Sequence, residues 1–239
     1  MPAEPEPTVG VIIPAWNAER WLGAALESVI EQSVCPTDVV VVDDGSTDST
    51  AAIAEGYGLP VRVVRQENGG IGAARNRGLD LVRGELVTFL DADDLLTGES
   101  IACRLEVLAA RPEVEMVFGG VRQFSEVAGG VPVPLGESLP GHLPPAALAR
   151  RGVYARVGPF RTDTRVSEGL DWMLRARELG LGELTLEQQV IWRRVHGENN
   201  SLRNRAEIGE YARTLKASLD RRRAAATVAR GSAEREPTL

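Results

Sequence analysis

The sequence predicts an α/β protein built on a Rossmann-like, mostly parallel sheet flanked by helices. Short β-branched runs alternate with amphipathic segments through the first half of the chain, which is the pattern of strand-helix-strand units. Acidic residues follow several of these runs, at the predicted carboxyl ends of the strands. With 239 residues, 43% of them hydrophobic, the chain is long enough to bury one substantial core.

Four apolar runs in the first half of the chain are predicted to be buried strands. They lie at residues 9–13, 39–42, 61–64 and 86–90. All four are rich in β-branched or other large apolar residues, as strands of such a sheet are. Two further strands are expected at 114–119 and 188–195.

Helices are predicted between these strands. The first has an apolar stripe at helical spacing, formed by Trp21, Leu22, Ala25, Leu26, Val29 and Ile30. Others are expected at about 49–55, 71–82 and 167–179, and one more precedes the strand at 114. The region 120–159 is rich in proline and glycine, which predicts a small loop-rich lobe. The Arg/Ala/Glu-rich end of the chain is predicted to be a helical tail that frays.

Charge and cysteine content narrow the functional classes. The formal charge of −7 disfavours nucleic acid and anionic membranes as partners. Cys35 and Cys103 are far apart and lack metal-ligand spacing, which argues against a disulfide scaffold or a zinc site. Residues 1–8 do not read as a secretory signal, and no apolar run approaches the ~20 residues of a membrane span. We therefore expect a cytoplasmic protein without a transmembrane segment.

The triplet Asp91-Ala92-Asp93 directly follows the apolar run at 86–90. Open parallel sheets bind ligands beyond the carboxyl ends of their strands. Two carboxylates at such a place can serve a ribose and a hard divalent cation, which prefers oxygen ligands. A Mg²⁺ or Mn²⁺ ion would bridge a diphosphate and so let an acidic pocket hold an anion. The alternative is a solvated acidic loop that caps the next helix.

Two other predicted strand ends offer contacts to a nucleobase. Asp44 is suited to accept a hydrogen bond from a base N–H, or else it forms a turn that caps the following helix. Pro14, Ala15 and Trp16 follow the first strand, and the Trp16 ring is either a wall for the base or a core side chain.

Four segments together resemble the inverting glycosyltransferases of family 2. They are residues 11–17 (VIIPAWN), 41–48 (VVDDGSTD), 68–78 (NGGIGAARNRG) and 89–94 (FLDADD). Because all four occur in the family's order within the first half of the chain, the match is specific. The resemblance implies a GT-A fold, a nucleotide-diphospho-sugar donor that is usually UDP-linked, and a divalent cation, Mn²⁺ or Mg²⁺.

The same resemblance implies roles for individual residues. The donor contacts are Pro14, Ala15, Trp16 and Asp44 around the base, Asp91 near the ribose, and Asn68 and Arg75 elsewhere in the donor pocket. The metal ligands are Asp93 and Asp91, which form the family's DXD motif. Arg75 has a structural alternative, as an ion-pair partner.

The second half of the chain departs from the family at the catalytic base. The family opens the corresponding helix with a Glu-Asp pair, whereas residues 167–175 read SEGLDWMLR, with Gly169 in place of the aspartate. We predict Asp171 as the base, with Glu168 as the alternative, since residues three apart share a helix face. Both carboxylates have a structural alternative, which is to favour the positive end of the helix.

Residues 193–201 (RRVHGENNS) resemble the family's later Arg-x-His region. Arg194 and His196 are therefore predicted to face a leaving diphosphate, whose negative charge grows as the sugar departs. His196 is otherwise a hydrogen-bonded structural histidine.

The sequence thus predicts a metal-dependent, hexosyltransferase-like enzyme that transfers a sugar to an acceptor hydroxyl with inversion. The acceptor class stays open between a glycan, a lipid-linked sugar, a peptide and a small metabolite. A non-catalytic nucleotide-sugar-binding protein is the alternative that Gly169 raises. A dehydrogenase is disfavoured because no glycine-rich turn follows the first strand.

The expected organisation has four parts. They are a flexible N-terminus at 1–7, a nucleotide-sugar-binding subdomain at 8–120, an acceptor-binding and catalytic-base subdomain at 121–205, and a helical, partly disordered tail at 206–239.

Overall fold

Nine strands form one sheet through the protein, for which a computed structural model describes residues 7–197 and 209–233. The strands are β1 Val9–Ala15, β2 Asp38–Asp43, β3 Val61–Arg65, β4 Leu86–Phe89, β5 Leu95–Leu96, β6 Met116–Ala128, β7 Val131–Pro140, β8 Ala147–Arg150 and β9 Glu183–Arg194. The helices are α1 Leu22–Ile30, α2 Thr50–Glu55, α3 Ile71–Leu81, α4 Ser100–Ala110, α5 Arg151–Val157, α6 Glu168–Glu178 and α7 Gly209–Ala233.

The sheet has the order β3-β2-β1-β4-β8-β6-β9-β5, and β7 pairs with β6. The first four strands in that order are parallel, whereas β8 is antiparallel to both β4 and β6. β9 returns to a parallel pairing with β6. The predicted α/β class, with helices flanking the sheet and a helix near the C-terminal end, is confirmed.

β1, β2 and β4 are buried along their whole length, which explains why they read as uninterrupted apolar runs. In the parallel register, Ala15 lies opposite Asp43 and Ile12 lies opposite Phe89. The three strands therefore end at the same edge of the sheet. The segments that follow them are brought together there, as the spacing of the motifs predicted.

The region 120–159 contains more regular structure than the predicted loop-rich lobe. β6 continues to Ala128, and the positive φ of Gly129 and Gly130 turns the chain into β7. Pro132 and Pro134 lie on β7, which among the described strands pairs with β6 alone, and an edge strand tolerates proline because one side needs no N–H donor. The proline and glycine content of this region predicted loops, whereas the region contains the hairpin β6–β7.

Other boundaries differ modestly from the predictions. β9 begins at Glu183, five residues before the strand expected at 188, and the short strand β5 was not predicted. The predictions for residues 1–6, 198–208 and 234–239 lie outside the described residues. In the part of the chain that the structure describes, no helix is long and apolar enough to cross a membrane.

Helix α3 packs closely on β1 because Gly78 has no side chain. A Cβ at Gly78 would overlap the Cγ2 atom of Ile12, which is fully buried. The close approach fixes the height of α3 above the sheet. It therefore also fixes the position of Arg75, one turn earlier on the same helix.

We predict that Gly78→Ala lowers the free energy of unfolding by ~1–3 kcal/mol because the added methyl overpacks the contact with Ile12. Gly152→Ala is the matched control, since Gly152 is also helical and a Cβ added there would meet no other atom within 4 Å. That control should gain up to about 1 kcal/mol from helix propensity. Urea unfolding of both variants measures the difference, and equal stability changes would contradict the packing argument.

Candidate functional site

A pocket of about 410 Å³ opens where β1, β2 and β4 end. The start of α3 and the start of α6 form two of its walls, and α7 contributes a further side chain. This is the crevice beyond the carboxyl ends of the strands, where open α/β sheets bind their ligands. The volume is in the usual range for small-molecule sites, ~300–1,000 Å³.

Most of the predicted site residues line this pocket. They are Pro14, Ala15, Trp16, Asp44, Asn68, Arg75, Asp91, Asp93, Glu168 and His196. Trp16 is 48% exposed and lines the pocket, so its ring is a pocket wall and not part of the core. The two predicted residues that do not line the pocket are Arg194 and Asp171.

Asp44 organises the loop that precedes α3. One oxygen of its carboxylate accepts hydrogen bonds from the side-chain amide of Gln66 (2.7 Å) and the backbone N–H of Gly69 (2.9 Å). The other oxygen accepts one from the N–H of Gly70 at 2.8 Å. Asn68 donates its side-chain amide to the backbone oxygen of Asp44 at 2.9 Å. A carboxylate has about four acceptor positions, so Asp44 retains capacity for one more donor from the pocket.

The acidic segment after β4 concentrates negative charge at the pocket floor. Nε2 of His196 lies 2.9 Å from Oδ2 of Asp93, and Asp94 accepts the backbone N–H of Arg194 at 2.8 Å. Burial, followed by repulsion from Asp91, raises the pKa of Asp93. Burial and then Asp93 and Asp91 raise the pKa of Asp94 well above its usual range. The carboxylates of this segment therefore repel one another in the folded protein.

This concentration of negative charge fits a divalent cation. Asp91 and Asp93 both face the pocket with their side chains about a third exposed, at 33% and 27%. Within residues 7–197 and 209–233, no group of three or more His, Cys, Asp or Glu side chains forms a metal site by itself. Mg²⁺ is commonly held by only one or two carboxylates together with substrate phosphates and waters, so two carboxylates suffice for a site that a diphosphate completes.

Arg75 joins the acidic segment to α6. Its Nη1 donates to Oε1 of Glu168 at 2.7 Å, and its Nη2 donates to Oδ1 of Asp91 at 3.0 Å. The guanidinium is buried beside the rings of Phe89 and Phe160, and its central carbon lies 5.7 and 5.6 Å from their centroids. The predicted structural alternative for Arg75 is therefore what the structure shows, at a position that also lines the pocket.

Glu168 lines the pocket and has an unused acceptor. Its Oε1 is taken by Arg75, whereas its Oε2 is buried without a hydrogen-bond partner among the described residues. A buried oxygen without a partner is costly, and such groups point to a role in ligand binding or catalysis. Glu168 is thus the predicted base candidate that the structure brings to the pocket.

Asp171 faces away from the pocket, which corrects the expectation that it shares a face with Glu168. Its carboxylate accepts from Nε of Arg175 at 2.8 Å and lies 3.6 Å from Nη1 of Arg221 on α7. Residues three apart on a helix are rotated by about 60°, and this rotation is enough to turn Asp171 into the α6–α7 interface.

Arg194 was predicted to face the pocket, but it lies behind the pocket wall. Its neighbour Arg193 lines the pocket instead. The guanidinium of Arg194 is 4.4 Å from the ring centroids of both Trp21 and Phe124, and its Nε donates to the backbone oxygen of Asp93 at 2.9 Å. Successive side chains on a strand point to opposite faces, so when Arg194 is buried on one face of β9, Arg193 faces the pocket.

Several lining residues were missed by the sequence analysis. Leu143, Pro144 and Pro145 come from the region expected to be loop-rich, and Tyr211 comes from the tail. Period-two alternation on β9 was the signal that would have found Arg193. No local signal in the sequence predicted that Tyr211 reaches this pocket, because its place depends on how α7 packs against α6.

Comparison with known proteins places these motifs in a family. The family model for "Glycosyl transferase family 2" matches residues 10–154, more than half of the chain. The putative glycosyltransferase EpsH of Bacillus subtilis is 34% identical over 115 residues, which are 47% of this chain and 33% of EpsH. Glycosyltransferase GlyA of Streptococcus pneumoniae is 33% identical over 124 residues, which are 51% of this chain and 18% of GlyA. The chain thus spans about a third or less of these relatives.

Solved structures share the fold. Residues 1–349 of S. aureus TarS in complex with UDP-GlcNAc match with a TM-score of 0.68 and 23% identity, over 81% of this chain and 60% of that one. The mannosyltransferase PcManGT from Pyrobaculum calidifontis, in complex with GDP-Man and Mn²⁺, matches with a TM-score of 0.63 and 24% identity, over 81% and 59%. These likenesses confirm the predicted GT-A fold.

We predict that Arg75→Met lowers the free energy of unfolding by ~3 kcal/mol, because it leaves the buried Glu168 without a countercharge. That value is at the lower end for a broken buried pair, since Asp91 is partly exposed. Arg161→Met is the control: Arg161 pairs with Asp163 at the surface, where a pair contributes ~0–1 kcal/mol. Urea unfolding of both variants checks this, and losses of equal size would show that the Arg75 bridge is not structural.

Proposed function

Because the chain belongs to glycosyl transferase family 2, we propose that it transfers a sugar from a nucleotide-diphospho-sugar to an acceptor hydroxyl. One observation carries the proposal: Asp91 and Asp93 lie in the same pocket as Trp16 and Asp44, at the ends of three adjacent strands. The pocket thereby offers a wall for a nucleobase, hydrogen-bond acceptors for the nucleobase and the ribose, and carboxylates for a cation.

We assign residues 8–120 to binding of the donor, and residues 121–205 to binding of the acceptor and to the general base.

The donor is proposed to be a UDP-sugar. Pro14, Ala15 and Trp16 would flank the base, and the remaining acceptor position of Asp44 would take its N–H. Asp91 would lie at the ribose. The TarS structures in complex with UDP-GlcNAc and with UDP support this choice of nucleotide.

Asp93 and Asp91 are proposed to hold Mn²⁺ or Mg²⁺. Such an ion offsets the charge that develops on a leaving diphosphate. His196 touches Asp93 and Arg193 lines the same pocket, so both are placed to act on the same charge. The PcManGT complex with Mn²⁺ supports a divalent ion in this fold.

Glu168 is proposed as the general base. The acceptor hydroxyl would give its proton to Oε2 of Glu168 while its oxygen attacks the anomeric carbon from the face opposite the diphosphate. The bond between that carbon and the phosphate oxygen breaks, the diphosphate leaves with the electron pair, and the anomeric configuration inverts. Arg75 holds Oε1 of Glu168, so Oε2, which has no hydrogen-bond donor among the described residues, is the oxygen left to take the proton.

Gly169 supports a second candidate function, a nucleotide-sugar-binding protein without transfer activity. The position lines the pocket but offers no carboxylate.

The acceptor of the transfer reaction is proposed to be a glycan, a lipid-linked sugar, a peptide or a small metabolite. The cytoplasmic location stays a prediction.

We predict that UDP binding requires Mn²⁺ or Mg²⁺ and that Asp93→Ala weakens it by about tenfold or more, because the ion loses one of two protein carboxylates. Calorimetry with Mn²⁺ and with excess chelator measures both effects. Asp163→Ala, which removes a surface carboxylate outside the pocket, is the matched control and should bind UDP as the wild type does. Equal UDP affinity with Mn²⁺ and with chelator would refute the metal assignment.

We predict that the wild-type chain releases UDP from a UDP-sugar when offered an acceptor, and that Glu168→Gln slows this release by ~10²–10⁴-fold with UDP affinity intact. Glutamine keeps an oxygen for Arg75 but cannot accept the proton. The assay screens glycan, lipid-linked, peptide and small-molecule acceptors and reads the anomeric configuration of the product.

Asp171→Asn is the control for the base assignment. It should lower stability, because Arg175 loses its charged partner, but leave the rate near the wild-type value. Transfer by Glu168→Gln at the wild-type rate would place the base elsewhere. UDP-sugar binding without release for any acceptor would favour the binding protein.

A further inference from the structure

Helix α7 lies beyond the part of the chain that the family model matches, yet it is fastened along α6. Its contacts come from residues 210, 214, 218 and 221, which share one helix face by their spacing. Oε2 of the buried Glu210 accepts the backbone N–H groups of Arg165 and Val166 at 3.0 and 3.1 Å. α7 therefore holds in place the segment that leads into Glu168.

Further along, the contacts continue to the far end of α6. Thr214 donates to the hydroxyl of Ser167 at 3.0 Å, and both side chains are buried. Ser218 and Arg221 donate to Glu178 at 2.6 and 2.7 Å. Because α7 is hydrogen-bonded near both ends of α6, its position relative to α6 is fixed, and we call α7 the wall below.

Tyr211 on α7 lines the pocket as a result of this packing. Most of the other lining residues on this side are apolar: Val166 comes just before α6, Leu170 lies on α6, and Leu143, Pro144 and Pro145 come from the turn before β8. Gly169 lets α6 approach Pro144 closely, since a Cβ there would lie 3.3 Å from Cδ of Pro144. The carboxylates Asp91 and Asp93 lie at the donor end instead. The side of the pocket formed by α6, α7 and the turn before β8 thus carries mostly apolar side chains together with Glu168, whereas Asp91 and Asp93 come from the segment after β4.

We infer that α7 forms the acceptor wall of the proposed active site, and that the ring of Tyr211 packs against an apolar or aromatic group next to the acceptor hydroxyl. This rests on the proposed function. The acceptor class it selects is a glycoside or comparable alcohol with an apolar substituent, whose hydroxyl lies at Glu168 while its substituent contacts Tyr211 and Leu143. An aromatic ring face favours apolar and aromatic partners by stacking.

The test uses 4-nitrophenyl β-D-glucopyranoside as the acceptor probe, with the full chain saturated with UDP and Mn²⁺. Calorimetry measures the affinity of the probe, and a separate titration measures the affinity of UDP. We expect Tyr211→Ala to weaken the probe by about tenfold, the size of a lost aromatic contact, and to leave UDP affinity unchanged. Tyr211→Phe retains the ring and should retain the affinity of the probe.

Two further variants on α7 distinguish the effect of the helix position from the effect of the Tyr211 side chain. Glu210→Ala releases the anchor to residues 165–166 and should weaken the probe as Tyr211→Ala does, with UDP affinity unchanged. Leu219→Ala removes an exposed side chain of α7 outside the pocket and should change neither. Circular dichroism and thermal unfolding confirm that each variant is folded.

The outcomes separate this inference from the function beneath it. If UDP binds but the probe does not, or if Tyr211→Ala leaves the probe's affinity unchanged, the acceptor wall is refuted and the donor site stands. Equal weakening of UDP and the probe by Tyr211→Ala would assign Tyr211 to the donor end and also refute it. If the wild type binds no UDP, the proposed function falls and the inference falls with it.

Discussion

The arrangement of the pocket depends on one buried guanidinium. Arg75 gives one nitrogen to Glu168 and another to Asp91, so a single cation ties α6 to the strand-end segment that carries the acidic motif. Low polarity beside the rings of Phe89 and Phe160 strengthens both pairs and makes the loss of either partner costly. α3 can hold Arg75 there because Gly78 and Gly72 let the helix approach β1 and the backbone of Arg161 closely.

The same segment shows how the fold tolerates three carboxylates within four residues. Each has a different partner: Asp91 accepts from Arg75, Asp93 contacts His196, and Asp94 accepts the backbone N–H of Arg194. Asp94 is buried at the base of the pocket, whereas the side chains of the other two are partly exposed to it. The protein thus fixes the shape of an acidic site and leaves two of its carboxylates accessible, which is what a site for a cation and a diphosphate requires.

Much of the fold could be predicted from the sequence, because each buried parallel strand is a continuous apolar run and each motif follows such a run. The donor end was predictable for the same reason: Asp44 and Asp91 are local consequences of where β2 and β4 end. The rest depends on contacts between distant segments. Asp171 and Arg194 were misplaced because a rotation of about 60° on a helix, or one step on a strand, turns a side chain to another face. Tyr211 depends on the packing of α7, which no local pattern encodes.

Gly169 is best understood through Arg75. A Cβ at this position would lie 3.4 Å from Nη1 of Arg75, the nitrogen that binds Glu168. An aspartate there would therefore bring a second carboxylate to the guanidinium and compete with Glu168 for it. With glycine, Arg75 binds Glu168 alone on this side, and Oε2 of Glu168 has no donor among the described residues. The departure from the family's Glu-Asp pair thus removes one candidate base and leaves Glu168 as the carboxylate of this wall that we propose as the base.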